Sequence, residues 1–218
     1  MANTYGPKSI VGNGLVFCVD AKDKQSYAGS GTAWNDLVNS NNGTLTNGPV
    51  HNGDYFTFDG TNDFSTHGND SSVQLDHKTA AVWVRPHSIH DTTFFGRDNG
   101  SNRQWWLFFQ TGGVIWWWDD TTDGTFSGNN AYEANVWTHI CGTYDGAAMT
   151  LYKDGSQLAS TARTGTSAVG SAALNIGNRD NNDRHLDGDI GCVHLYNRAL
   201  SAAEVSQNFN AQRGRFGV

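Results

Sequence analysis

The sequence predicts an all-β fold: two antiparallel sheets packed as a sandwich, with one short C-terminal helix. Three observations predict it. Apolar residues recur at alternate positions in short runs, from Gly14–Asp20 (GLVFCVD) to Asp189–Tyr196 (DIGCVHLY), which is the period of a strand. Turn signals separate the runs: 26 of 218 residues are Gly and 3 are Pro, the profile of many short strands joined by tight turns. A single helix start stands near the end, Ser201-Ala202-Ala203-Glu204. There the Ser hydroxyl can accept the Glu204 N–H while the Glu carboxylate returns to the Ser N–H.

Each element follows in order. Residues 1–13 read as an irregular arm, and Gly14–Asp20 as the first strand. Asp23–Asn47 is polar and reads as a long loop anchored by Trp34 and Leu37. Tyr55–Asp59 and Ala80–Pro86 read as strands, and Phe94-Phe95-Gly96 as a short one. Gln104–Asp119 (QWWLFFQTGGVIWWWD) reads as strand, Thr-Gly-Gly turn and strand, with aromatic residues on both faces.

Val136–Gly155 is the centre of the chain. Trp137, His139, Cys141 and Thr143 alternate with Thr138, Ile140, Gly142 and Tyr144; Asp145-Gly146 makes a hairpin turn, and Met149, Leu151 and Lys153 return. Both faces are partly apolar, so this pair is expected inside a sheet covered on both sides. Ala172–Gly177 and Asp189–Tyr196 read as the last strands. The helix is expected to run to Phe209, and residues 211–218 to form a tail. The domain is therefore set at 14–210.

Composition excludes some partners. A net charge of −7 opposes nucleic acid and anionic membranes. No run of 18 apolar residues exists, so no membrane insertion is expected, and the N-terminus lacks the build of a signal peptide. Cys18, Cys141 and Cys192 are odd in number and widely spaced. They read as buried small hydrophobes of a protein made in a reducing cytoplasm.

Several phrases carry a resemblance. W-T-H-x-x-x-T-Y-D-G with L-Y-K-D-G (Trp137–Gly155), F-D-G-T-N-D-F (Phe58–Phe64), W-V-R-P (Trp83–Pro86) and Y-N-R-A-L-S-A-A-E-V (Tyr196–Val205) are similar to laminin-G-like domains. Those belong to the concanavalin A-like lectin/glucanase superfamily, whose fold is a two-sheet jelly roll. The continuation Gln207-Asn208-Phe209-Asn210-Ala211, with Arg213 and Arg215-Phe216-Gly217, resembles versions in tailed-phage virion structural proteins. The resemblance spans residues 14–217.

Glucanases of this superfamily carry two Glu on one strand with an Asp between. Here the Glu residues are Glu133, after a loop, and Glu204, in the helix cap, so the two-carboxylate machinery is missing. Asp119-Asp120 and Asp187-Gly188-Asp189 are the substitutes in principle, and His87-Ser88-Ile89-His90 reads as a solvated loop pair. On this ground the sequence predicts that the protein is not an enzyme.

Gly96-Arg97-Asp98-Asn99 resembles the turn that supplies calcium ligands in pentraxins, jelly-roll relatives whose other ligands sit where Ile176–Asp183 stands here. That resemblance implies one weak calcium site of Asp98, Asn99, Asp180 and Asp183. Arg179 opposes it, standing near the place of a pentraxin Glu, and plain Asx turns are the alternative.

Trp105, Trp106, Trp116, Trp117, Trp118, Asp119 and Asp120 form a carbohydrate platform or a protein interface, the alternative to the platform being that the indoles belong to the core and to a neighbouring subunit. An interface would imply a homo-oligomer. By resemblance, the expected function is a virion-surface protein, as a capsid decoration or fibre-associated domain, partnered by virion proteins and glycans. A free-standing calcium-dependent lectin is the alternative, and a glycoside hydrolase the third.

Overall fold

A computed structural model describes residues 9–98, 103–119, 123–167, 170–179 and 184–218. The strands are β1 (Leu15–Asp20), β2 (Ala33–Trp34), β3 (Gly43–Thr46), β4 (Val50–His51), β5 (Phe56–Asp59), β6 (Phe64–Thr66), β7 (Lys78–Pro86), β8 (Thr92–Asp98), β9 (Arg103–Gln110) and β10 (Val114–Asp119). They continue as β11 (Asp123–Phe126), β12 (Thr138–Tyr144), β13 (Ala148–Lys153), β14 (Ser156–Ala162), β15 (Asn175–Ile176) and β16 (Asp187–Tyr196). One helix follows, α1 (Ala202–Phe216).

The strands form two antiparallel sheets. The first runs β14-β13-β12-β7-β16-β5-β4, with β1 also on β16; the second runs β11-β10-β9-β8-β15-β6-β3-β2. The predicted sandwich with its C-terminal helix is the observed architecture. The central hairpin lies inside the first sheet, with β12 between β7 and β13. Its turn is held by Asp145, whose Oδ1 accepts the N–H groups of Ala147 and Ala148 at 2.8 and 2.7 Å.

The core lies between the sheets. The first contributes Val82, Val84, Ile140 and Leu151, and the second Phe95, Trp105, Leu107, Phe109, Ile115 and Trp117. Trp117 fits because Gly142 faces it: a Cβ at Gly142 would lie 2.4 Å from the indole. The Trp117 N–H then reaches the Thr143 carbonyl at 3.1 Å. A fully buried indole of this kind contributes on the order of 5 kcal/mol of transfer free energy.

α1 covers the outer face of the first sheet. Val205 packs with Cys141, Tyr152, Tyr196 and Leu200, while Phe209 and Phe216 pack on Trp83 and Cys192. Phe216 stacks on Trp83 with centroids 4.3 Å apart, over Gly191, where a Cβ would meet the ring at 2.4 Å. The capping box of Ser201 and Glu204 is present. Glu204 also binds Arg198 at 2.6 Å, and mainly that contact lowers its pKa to about 2.

The structure corrects several element bounds. The expected loop 23–47 contains β2 and β3. β11 and β14 are strands that the sequence reading did not mark. The expected Ala172–Gly177 strand shrinks to two residues. α1 runs past Phe209 through most of the expected tail, because Phe216 has a place on the sheet, and it ends at Gly217 in the left-handed conformation, φ 74°. Within the expected arm, Val11 is buried and donates its N–H to Asn208 Oδ1 at 2.8 Å. All three cysteines are free and buried, as read.

Candidate functional site

The hairpin β9–β10 sorts its aromatic residues by parity. Trp105 and Trp117 face the core and are 1% and 0% exposed; these two sugar-platform candidates are corrected to core residues. Trp106, Phe108, Trp116 and Trp118 face outward on the second sheet, the face that α1 does not cover. Cross-strand register pairs them, Trp118 opposite Trp106 and Trp116 opposite Phe108, and β11 adds Phe126 opposite Trp116.

The result is a stacked ladder. Trp106 and Trp118 have centroids 5.5 Å apart at 23°, Phe108 and Trp116 5.7 Å apart at 10°, and Trp116 and Phe126 4.4 Å apart at 28°. Such pairs contribute about 0.5–1.5 kcal/mol each beyond their burial. Trp116 and Trp118 are half-buried and Phe126 is 54% exposed.

Polar groups edge the ladder. Gln110 Oε1 accepts the Trp116 indole N–H at 2.8 Å. The Arg184 guanidinium lies 5.2 Å from the Phe108 ring centroid. Trp106 is only 4% exposed, and its indole nitrogen has no hydrogen-bond partner among the described residues. Phe108 and Gln110 share the Trp106 face by alternation but, like Phe126 and Arg184, were not among the site candidates read from sequence. Phe108 was legible by alternation, whereas Phe126 and Arg184 reach the ladder only through β11 and a distant loop.

Asp119 is also corrected. It is fully buried, with Oδ2 2.7 Å from Lys78 Nζ, which is equally buried. Ser167 Oγ donates to the same oxygen at 2.7 Å, and Arg163 lies 3.9 Å away. Burial lowers the Lys78 pKa, and the Asp119 charge opposes that shift. Asp120 lies outside the described residues.

So do Asn99, Asp180 and Asp183 of the expected calcium site. Asp98, the fourth, is 2% exposed at the end of β8, and its Oδ2 is 3.6 Å from Arg179 Nε. The cation that the sequence reading set against calcium thus sits beside the one described ligand. Among the described residues no group of three or more His, Cys, Asp or Glu is placed to hold a metal.

Solved structures share this fold. Trypanosoma rangeli sialidase in complex with sialic acid matches with a TM-score of 0.72 at 16% identity, over 92% of this chain and 33% of that one. Its covalent intermediate with 2,3-difluorosialic acid matches with a TM-score of 0.73 at 16% identity, over 98% and 36%. The receptor-binding domain of botulinum neurotoxin mosaic serotype C/D matches with a TM-score of 0.67 at 15% identity, over 91% and 51%.

This chain therefore spans about a third of the sialidase chains and about half of the toxin domain, and the likeness is one of fold. It overturns one expectation: the exclusion of enzymatic activity does not stand, because chains with this fold include glycoside-cleaving enzymes. No curated protein matches the sequence. A laminin-G family model described as the Concanavalin A-like lectin/glucanases superfamily matches residues 58–206. That match covers more than half of the chain and agrees with the two-sheet architecture, and the chain belongs to this superfamily.

Proposed function

We propose that the protein binds carbohydrate on the outer face of its second sheet, as a surface component of a tailed-phage particle. The observation that carries the binding is the aromatic ladder. Half-buried indoles stack on sugar C–H groups, and Gln110 and Arg184 stand at the edge of the ladder for hydroxyl or carboxyl oxygens. Similar solved chains hold sialic acid and a sialic-acid derivative, which supports a glycan as ligand class. The particle setting rests on the resemblance of Gln207–Ala211, with Arg213 and Arg215–Gly217, to virion proteins. A homo-oligomer presenting several ladders would raise avidity without new contacts.

A glycan array tests this reading, run with calcium and with chelator, on wild type and on Trp116→Ala and Trp118→Ala. The expected result is binding to one glycan class, weakened at least about tenfold (about 1.4 kcal/mol) in each variant. Measuring free sugar released from the bound glycans separates binding from turnover. A blank array from well-folded protein overturns the proposal. If Phe126→Asp then dissociates an oligomer, the ladder is a subunit contact.

A further inference from the structure

We propose a second carbohydrate site, for a neutral sugar, on the outer face of the first sheet at the end that α1 leaves bare. It shares a ligand class with the ladder but no residue, and it lies on the opposite side of the sandwich.

The site grows from one row of that sheet. Asp189 pairs with Thr57 on β5 and with Arg85 on β7, so the three side chains lie together. Asp189 is 1% exposed. Its Oδ1 accepts Thr57 Oγ1 at 2.6 Å, and its Oδ2 accepts Arg85 Nε at 2.6 Å. His87, read from sequence as a solvated loop residue, stands between two carboxylates: Nε2 is 3.0 Å from Asp189 Oδ2, and Nδ1 is 3.1 Å from Asp187 Oδ1. Ser88 Oγ donates to Asp187 Oδ2 at 3.0 Å.

Two rings flank the cluster. Tyr55 and Trp137 are half-buried and meet edge to face at 5.5 Å, and the Arg85 guanidinium lies 5.1 and 5.2 Å from their centroids. Phe216, at the last turn of α1, touches the far side of Trp137 at 4.7 Å. The helix thus ends where the cluster begins.

The network is buried at its base and open at its rim: Asp189 is enclosed, while the side chains of Arg85, His87 and Asp187 are 29%, 31% and 38% exposed. What the network does is fix several polar groups beside two aromatic rings, the make-up of a sugar pocket. Its charge selects the sugar. Arg85 and His87 both already face carboxylates, so among the described residues of the cluster no free cation is left for an anionic sugar, while the half-open Asp187 accepts hydroxyl donors.

The test is a titration of ¹⁵N-labelled protein with lactose, chitotriose and sialyllactose, following the tryptophan indole N–H signals. The expected result is a shift of the Trp137 signal with a neutral sugar. Trp137→Ala, read by calorimetry because it lacks the reporter signal, and Asp187→Asn should weaken that binding at least about tenfold, while Trp118→Ala leaves the Trp137 shift in place. Asp187→Asn decides the matter if Trp137→Ala does not fold. A silent Trp137 with both neutral sugars, a shift with sialyllactose alone, or binding unchanged in Asp187→Asn overturns the proposal. If Trp116 and Trp118 respond while Trp137 does not, this site falls and the ladder stands; the reverse pattern removes the ladder and keeps this site.

Discussion

Asp119 shows how a residue can look functional and be structural. It ends an aromatic strand beside a second Asp, a pattern that reads as an exposed turn. In the fold it joins the two sheets, because Lys78 lies on β7 and Asp119 on β10. An ion pair without solvent is worth little net, but its removal strands a charge. Asp119→Ala should therefore destabilise the protein by about 3–5 kcal/mol, read from urea denaturation. A loss below about 1 kcal/mol would show the pair to be as weak as a surface one. The indoles carry the same lesson. Alternation separates Trp105 from Trp106 and Trp116 from Trp117, but both faces are aromatic, so parity alone does not say which is inside. The space left by Gly142 for Trp117 decides it, and that space belongs to another sheet.

The elements follow the same division. Apolar strands such as β1, β7, β12 and β16 were legible because half or more of their side chains enter a core. β3 and β14 were not, because their mostly polar side chains resemble those of loops, and β2 is two residues that only backbone pairing makes a strand. α1 was legible at its start, where Ser201 and Glu204 are local partners, and not at its end, where Phe216 finds a sheet far away in sequence.

The cover that α1 provides has a pH consequence. His139 on β12 and His194 on β16 are buried under it, and burial lowers their pKa values to about 3 and about 4. Both are neutral in the fold, whereas in the unfolded chain they take up protons below pH ~6.5. Their share of stability is complete above that value and is lost as pH falls toward about 4. Each group contributes a slope of up to about 1.4 kcal/mol per pH unit. Urea midpoints should fall between pH 7 and 5, and His139→Phe should flatten the slope. A pH-independent midpoint would contradict this.

At the scale of the molecule, alternation and turns were enough for the sandwich, since they fix which residues need a partner face. They were not enough for the cluster around His87. Its residues come from β5, β7, the loop after β7, the entry to β12 and the start of β16, and only sheet register sets them side by side. The calcium residues show the converse, a local motif whose one described member already lies beside Arg179.

The buried cysteines give the fold a built-in stopwatch. Burial, with the charges of Asp20, Asp36 and Asp23, raises the Cys18 pKa to about 12, and burial raises those of Cys141 and Cys192 as well. The thiolate is the form that alkylating reagents attack, and the closed protein offers almost none. Cys141 and Cys192 lie beneath opposite ends of α1, and Cys18 lies on β1. Site-resolved labelling by iodoacetamide would then time how often each part of the sandwich breathes. The expected order is Cys18 first, with the two thiols beneath the helix reacting only when it lifts.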